Sequence, residues 1–402
     1  MPEASFSEDR GPLSIFATAS PTVGSATAKD GGGTVAAWLF LCCALIFLMV
    51  VIGGITRLTL SGLSITEWNP VVGVVPPLSA TDWAAVFAKY KEIPEYRAVH
   101  SLMRLDEFKG IYLWEYAHRL LGRLIALVYA IPFAWFLVRG RLPRRLIPPL
   151  GGILLLGFAQ GGLGWYMVES GLADRPEVSQ YRLVAHLALA LAIYAAILWV
   201  ALGIVGRAPH PTPLPASGER EGPAKREGEG QSGVAVSVSW VLWRRAGDAV
   251  LLLVAVTILA GGFVAGTRAG LVYNTFPLMD GRVVPEGYAE LHPFARNWFE
   301  NVTAVQFDHR LLAIAAAVVV LLVWALGWRA GLSKPVRAAL HGLAAVSLLQ
   351  VALGITTLVL VVPIALAAAH QAGAVLLLTA AIVFRHTLRR VAPIDAEAPA
   401  PI

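Results

Sequence analysis

The sequence predicts an all-α integral membrane protein with eight transmembrane helices, arranged as two parallel-repeat four-helix bundles. Three observations carry that expectation. Apolar residues make up 57% of the chain, against roughly 45–50% in soluble domains, and the mean hydropathy is +0.66. Long uncharged runs recur, each near the roughly 20 residues a helix needs to cross a bilayer. Finally, a set of short motifs occurs twice, in the same order, on either side of a polar central segment. In hydrocarbon the backbone must satisfy its own hydrogen bonds, which helices do.

Residues 1–34 are Ser/Ala/Gly-rich and carry Glu3, Glu8, Asp9 and Asp30. That acidity is unlike a mitochondrial transit peptide and suits a disordered tail, and no signal peptide is read ahead of the first span. The first span, 35–55, holds the two cysteines of the chain, Cys42 and Cys43. Helix neighbours do not meet disulfide geometry, so both read as packing residues. Spans two to four cover 117–138, 146–168 and 183–205. Residues 206–240 are rich in Pro, Gly and charge and read as a flexible linker. Spans five to eight follow at 249–267, 307–327, 338–361 and 364–384. The last two share one apolar run, Leu343 to Phe384, which is too long for a single crossing, so Pro363 marks a turn. The expected units are an N-terminal bundle at 35–205, a C-terminal bundle at 241–390 and a tail at 391–402.

The net charge of +6 needs no nucleic-acid partner, because the cations sort by loop. Clusters at 139–145, 243–245, 328–337 and 385–390 all fall on one side of the spans. By the positive-inside rule that side is cytoplasmic, with both termini there, and loops 56–114, 169–182 and 268–306 lie outside. A bacterial inner membrane fits this topology. The outer loops hold no cysteine, which excludes a loop disulfide and a cysteine-based metal site there.

The halves echo one another. "IGGITRLTLSGLSITEWNP" ends the first span and "AGGFVAGTRAGLVYNTFP" ends the fifth. "HRLLGR" pairs with "HRLLAI", "QGGLGW" with "QVALGI", and "VAHLALA" with "AAHQAGA". Four spans per half is an even number, so the repeat is parallel rather than inverted. His118, His186, His309 and His370 all fall near the start of even-numbered spans, at one depth near the outer face. His100, His210, His292, His341 and His386 lie in loops or at cytoplasmic ends and read as solvated or interfacial groups.

Ionisable groups inside spans are rare and usually functional, and bundle cores hold cofactors between facing helices. Zinc and di-iron sites want more carboxylates or cysteines than these spans provide. A haem needs one or two axial ligands and an apolar pocket, and the Gly-rich helices leave room for a ring. Spacing alone therefore points to two bis-histidine haem sites, one per half. Arg57, Arg119, Arg123, Arg268 and Arg310 lie near the outer face, where permanent cations with a carboxylate-matching fork suit haem propionates. Structural histidines with interfacial arginines are the plain alternative. The halves differ at one position: Glu115 precedes His118 by three residues on the same helix face, where the second half has Gln306. Glu115 reads either as the partner of an i,i+4 ion pair with Arg119, or as a carboxylate that assists proton transfer or stabilises a developing cation.

At these residues the chain resembles the heme A synthases. The resemblance runs from about 35 to 390 and rests on "GGITRLTLSGLSITEWNPVVGVVPPLS", "EYAHRLLGR", "TRAGLVYNTFPLMDG", "NVTAVQFDHRLLA" and "AAHQAGA". The "SITEWNPVVGVVPP" loop is similar to the α-proteobacterial and mitochondrial branch; the branch with a cysteine pair in its outer loops is excluded. The resemblance implies an oxidoreductase acting on a CH group, which oxidises the C8 methyl of heme O to the formyl of heme A for cytochrome c oxidase. It implies that His309 and His370 ligate haem b and that His118 and His186 hold the substrate haem iron, with Glu115 essential. Implied partners are a heme O synthase, cytochrome c oxidase assembly factors, an electron-transfer partner and membrane lipid. Small residues on lipid-facing surfaces also suit a homo-oligomer. Two rival readings remain at this stage: a di-haem b-type electron carrier without substrate oxidation, and an anion transporter built from repeats.

Overall fold

The computed structural model describes residues 27–67, 72–173, 178–206 and 232–390. Most of the expected linker, the C-terminal tail and the motif residues Asn69 and Pro70 lie outside the described residues. Eleven α-helices are present among them: α1 (Thr27–Leu58), α2 (Ala80–Tyr90), α3 (Pro94–Val99), α4 (Leu105–Val138), α5 (Ile147–Ala173), α6 (Gln180–Val205), α7 (Ser232–Thr267), α8 (Asn297–Glu300), α9 (Val302–Arg329), α10 (Lys334–Val359) and α11 (Ile364–Arg390). Eight of these elements contain stretches long and apolar enough to cross a membrane, as the composition predicts.

Several helices outrun the apolar runs that announce them. α4 starts at Leu105 rather than 117 and has 34 residues, about 51 Å at a rise of 1.5 Å per residue. That exceeds a hydrocarbon core of about 30 Å. Its extra turns carry Asp106, Glu107 and Lys109, which a hydropathy window rejects, yet Phe108, Ile111 and Tyr112 are buried there. They pack with Leu63, Phe87, Tyr90 and Ile93 into a second, smaller core. An aromatic cap built on α2 and α3 thus holds the protruding end of α4. Similarly, α1 begins at Thr27 and α7 at Ser232, inside the stretches expected to be tail and linker. The break at Pro363 is as expected: α10 ends at Val359, Val361 and Val362 take positive φ values of 61° and 57°, and α11 begins at Ile364.

Helix packing closes into two rings. α1, α4, α5 and α6 form one, each against its neighbours, and α7, α9, α10 and α11 form the other. The diagonal pairs α4/α6 and α9/α11 are not among the principal contacts. The rings meet through α1–α11, α6–α7 and α6–α11. Hydrogen bonds cross this seam: Tyr194 Oη and Thr379 Oγ1 lie 2.8 Å apart, and Tyr181 Oη donates to Glu300 Oε1 at 2.9 Å. The main core spreads over both rings and includes Cys42 and Cys43, buried as free thiols.

Candidate active site

The four histidines share one setting. A Cβ built on Gly53 of α1 would stand 3.1 Å from His118 Nε2. On Gly164 of α5 it would stand 3.0 Å from His186 Cε1, on Gly261 of α7 2.9 Å from His309 Cε1, and on Gly354 of α10 2.9 Å from His370 Cε1. Each imidazole therefore lies against a bare glycine Cα on the next helix of its ring. His118 lies on α4 and His186 on α6, and His309 lies on α9 and His370 on α11. Each pair therefore stands on the two helices at opposite corners of one ring. His186, His309 and His370 each bury an Nδ1 with no hydrogen-bond partner among the described residues.

Glutamines support the last helix of each ring. Gln160 Nε2 donates to the His186 carbonyl at 3.0 Å, and Gln350 Nε2 to the His370 carbonyl at 3.0 Å. Each glutamine precedes its histidine-facing glycine by four residues, so both lie on one helix face. The same side of α5 or α10 fixes the main chain of the histidine and leaves room for its ring.

Beside each first histidine sits a clamp on the adjoining loop. Glu115 is buried, with Ser64 Oγ and Ile65 N both donating to Oε2 at 2.7 Å. Arg119 donates to Oε1 through Nε at 2.9 Å and Nη2 at 2.6 Å. It also reaches the carbonyls of Ile65 at 2.8 Å and Glu67 at 3.0 Å. In the second ring Gln306 donates to the carbonyls of Ala269 at 2.9 Å and Tyr273 at 3.1 Å, while Arg310 reaches those of Tyr273 at 2.6 Å and Thr275 at 2.8 Å.

The remaining cations are dispersed. Arg57 Nη2 crosses the seam to the Gly266 carbonyl at 3.1 Å. Arg268 takes a left-handed backbone, φ 55°, at the start of a short 3-10 turn. Arg119 and Arg123 line an outer cleft of about 300 Å³ with Glu67, Lys89, Tyr112 and Tyr116. Outside the spans, burial lowers the His100 pKa, and Tyr90 Oη lies 2.6 Å from its Nδ1. Glu300 is held low by hydrogen bonds from Arg296 and then Tyr181.

No cluster of three or more His, Cys, Asp or Glu side chains that could hold a metal ion occurs among the described residues. Paired imidazoles across a ring, backed by glycine and with ring nitrogens left over, suit the two faces of a haem rather than a three-ligand metal centre.

Comparison with known proteins decides the family. Residues 36–382 match the model of the COX15-CtaA family, described as cytochrome oxidase assembly protein. The chain belongs to this family. It is 51% identical to the Heme A synthase of Nitrosospira multiformis, over 89% of this chain and 94% of that protein. It is 47% identical to the Heme A synthase of Rhodospirillum centenum over 92% of both. It is 42% identical to the Heme A synthase COX15 of Arabidopsis thaliana, over 89% of this chain and 75% of that one. The COX15-CtaA match runs from α1 into α11 and so takes in all four histidines. What the motifs did not disclose in this family member is the job of Gly53, Gly164, Gly261 and Gly354. The recurrence of "QGGLG" and "QVALG" at equal Gln-to-Gly spacing was the available signal.

Proposed function

We propose that the chain is a heme A synthase, oxidising the C8 methyl group of heme O to a formyl group. The observation that carries the proposal is the duplicated, glycine-backed histidine pair in a chain 42–51% identical to proteins named Heme A synthase. The N-terminal unit, 35–205, receives heme O between His118 and His186, and the C-terminal unit, 241–390, holds haem b between His309 and His370. Haem b supplies one-electron redox capacity to the reaction. Arg57, Arg119, Arg123, Arg268 and Arg310 offer cationic groups to propionates at the outer face, and Arg119 and Arg310 also hold the loops beside the first histidines. The reaction is two successive two-electron oxidations at the methyl carbon, through an alcohol to an aldehyde hydrate that loses water.

Glu115 has an electrostatic part in that chemistry. A carboxylate offers about four lone-pair sites, and Ser64, Ile65 and the two Arg119 donors fill them. These contacts hold the carboxylate on the His118 face of α4, where it is positioned to stabilise positive charge developing nearby. The distribution of cationic loops supports a bacterial inner-membrane location with both termini cytoplasmic and the haem pockets near the periplasmic face. A heme O synthase supplies its substrate, cytochrome c oxidase assembly consumes its product, and a separate redox partner exchanges electrons with the protein.

Extraction and chromatography of the haems from the purified protein test the function. Heme O, heme A or the intermediate alcohol beside haem b is the expected result. Two b-type haems alone would return the di-haem carrier, and no haem at all would return the transporter. A Glu115→Gln protein that converted heme O at the parent rate would remove Glu115 from the chemistry.

A further inference from the structure

Both glycine pairs on the seam are used on both sides. Gly53 lies against the His118 ring, and its neighbour Gly54 lies against the side chain of Gln371, where a Cβ would overlap the Gln371 amide. Gln371 directly follows His370 in α11, and its Nε2 donates to the Val50 carbonyl of α1 at 2.8 Å. The second junction has the same form. Gly261 lies against the His309 ring, and a Cβ on Gly262 would stand 3.1 Å from Val184 Cγ2 and 3.3 Å from Leu187 Cδ2 of α6. Leu187 directly follows His186. One junction therefore runs His118, Gly53–Gly54, Gln371, His370, and the other runs His309, Gly261–Gly262, Leu187, His186. Each histidine of one ring is linked to a histidine of the other through a Gly-Gly step that carries no side chain and one side chain, Gln371 or Leu187, packed directly on it.

We propose that these two Gly-Gly junctions couple the haem pockets, so that loading one changes the iron environment of the other, and that Gln371 is the positioning residue of the stronger junction. The inference rests on the proposed function, since it presupposes a haem in each ring. A displaced His118 ring presses on Gly53, and packed interiors transmit such displacements rather than absorb them. Gln371, tied to α1 by its directional hydrogen bond to the Val50 carbonyl, then passes the displacement along α11 to its chain neighbour His370, whereas Leu187 makes only nondirectional contact. Linkage makes the effect reciprocal.

The test compares the haem b midpoint potential and low-spin EPR signal of the purified protein in two states. One is made in cells that produce heme O and the other in cells lacking a heme O synthase. The parent protein is expected to show different haem b signals in the two states, the difference corresponding to a coupling of about tenfold in affinity. Gln371→Leu places at this junction the residue found at the other. It is expected to keep both haems and lose at least half of the difference. If Gln371→Leu yields no loaded protein, Gln371→Met decides, because it keeps the unbranched side-chain length and removes the hydrogen-bonding amide. A parent with identical signals in the two states overturns the coupling, and so does a Gln371 variant with the full difference. A parent without any haem overturns the proposed function itself, a failure visible in the absorption spectrum before any comparison of states.

Discussion

The clamps beside His118 and His309 use the same parts with opposite polarity. In each ring, a residue three positions before the histidine and an arginine one position after it grip the loop that leaves the preceding span. The loop at 64–67 presents donors, the Ile65 N–H and the Ser64 hydroxyl, and meets the acceptor-only carboxylate of Glu115. The loop at 269–275 presents the carbonyls of Ala269 and Tyr273 and meets the amide of Gln306, which can donate. The Glu-to-Gln difference between the halves thus answers to the loop backbone before it answers to chemistry. Its consequence is nevertheless chemical: only the first ring holds a buried carboxylate three residues from its histidine.

Breaking the first clamp has the largest expected effect. The Glu115 side chain is 3% exposed and Arg119 12%. Glu115→Ala would remove the carboxylate that accepts from the guanidinium, Ser64 Oγ and Ile65 N–H. Losing one member of a buried pair costs about 3–5 kcal/mol, so thermal unfolding in detergent should show a large drop in midpoint. An unchanged midpoint would mean that solvent or lipid already satisfies this pair. The second clamp gives a smaller effect of opposite logic. Gln306→Glu removes two hydrogen bonds, about 0.5–1.5 kcal/mol each, and sets an acceptor against carbonyls that keep other donors, Val272 N on Ala269 and Arg310 Nη2 on Tyr273. Arg310 Nη2, 3.4 Å from Gln306 Oε1, offsets part of the loss. If Gln306→Glu proved as stable as the parent, the polarity argument would fail.

Much of this comparison was legible in the chain. Apolar runs announce the spans, and the recurrence of "HRLL" after Glu115-x-x and Gln306-x-x sets the two clamps in register. Pro363 announces the break between α10 and α11. The length of α4 was not legible, because its first turns are polar outside and held by aromatic residues from α2 and α3, a tertiary contact with no local periodicity. Nor was the use of the glycines. "GGIT" and "AGGFVAG" read as room for a haem ring, while the structure sets Gly53 and Gly261 against imidazoles, and Gly54 and Gly262 against the other ring. Which side of a glycine is occupied depends on a helix far away in sequence. The loop-clamping role of Arg119 and Arg310 was hidden similarly, since carbonyl acceptors leave no mark in the residue types of a loop.

The smallest expected effect concerns what lies above the first clamp only. Leu63, one residue before the clamped Ser64, is buried among Phe87, Tyr90, Phe108 and Tyr112 of the outer cap. Within that cap His100 sits against Tyr90 Oη, and burial lowers its pKa from 6.5. The folded cap therefore holds His100 neutral, while the opened chain takes up a proton more readily. Stability from this group is fully present above pH 6.5 and is lost as pH falls from there through the lower folded value. Hydrogen exchange at 80–100 and at 63–65 should quicken across that window, and His100→Gln should flatten the response. The hydrogen bonds that hold the 269–275 loop among the described residues come from Gln306 and Arg310 rather than from a histidine, so its exchange should not follow His100. Equal acid sensitivity of the two loops, persisting in His100→Gln, would show that the cap does not brace the first clamp and that the rings differ only in the polarity of the clamps themselves.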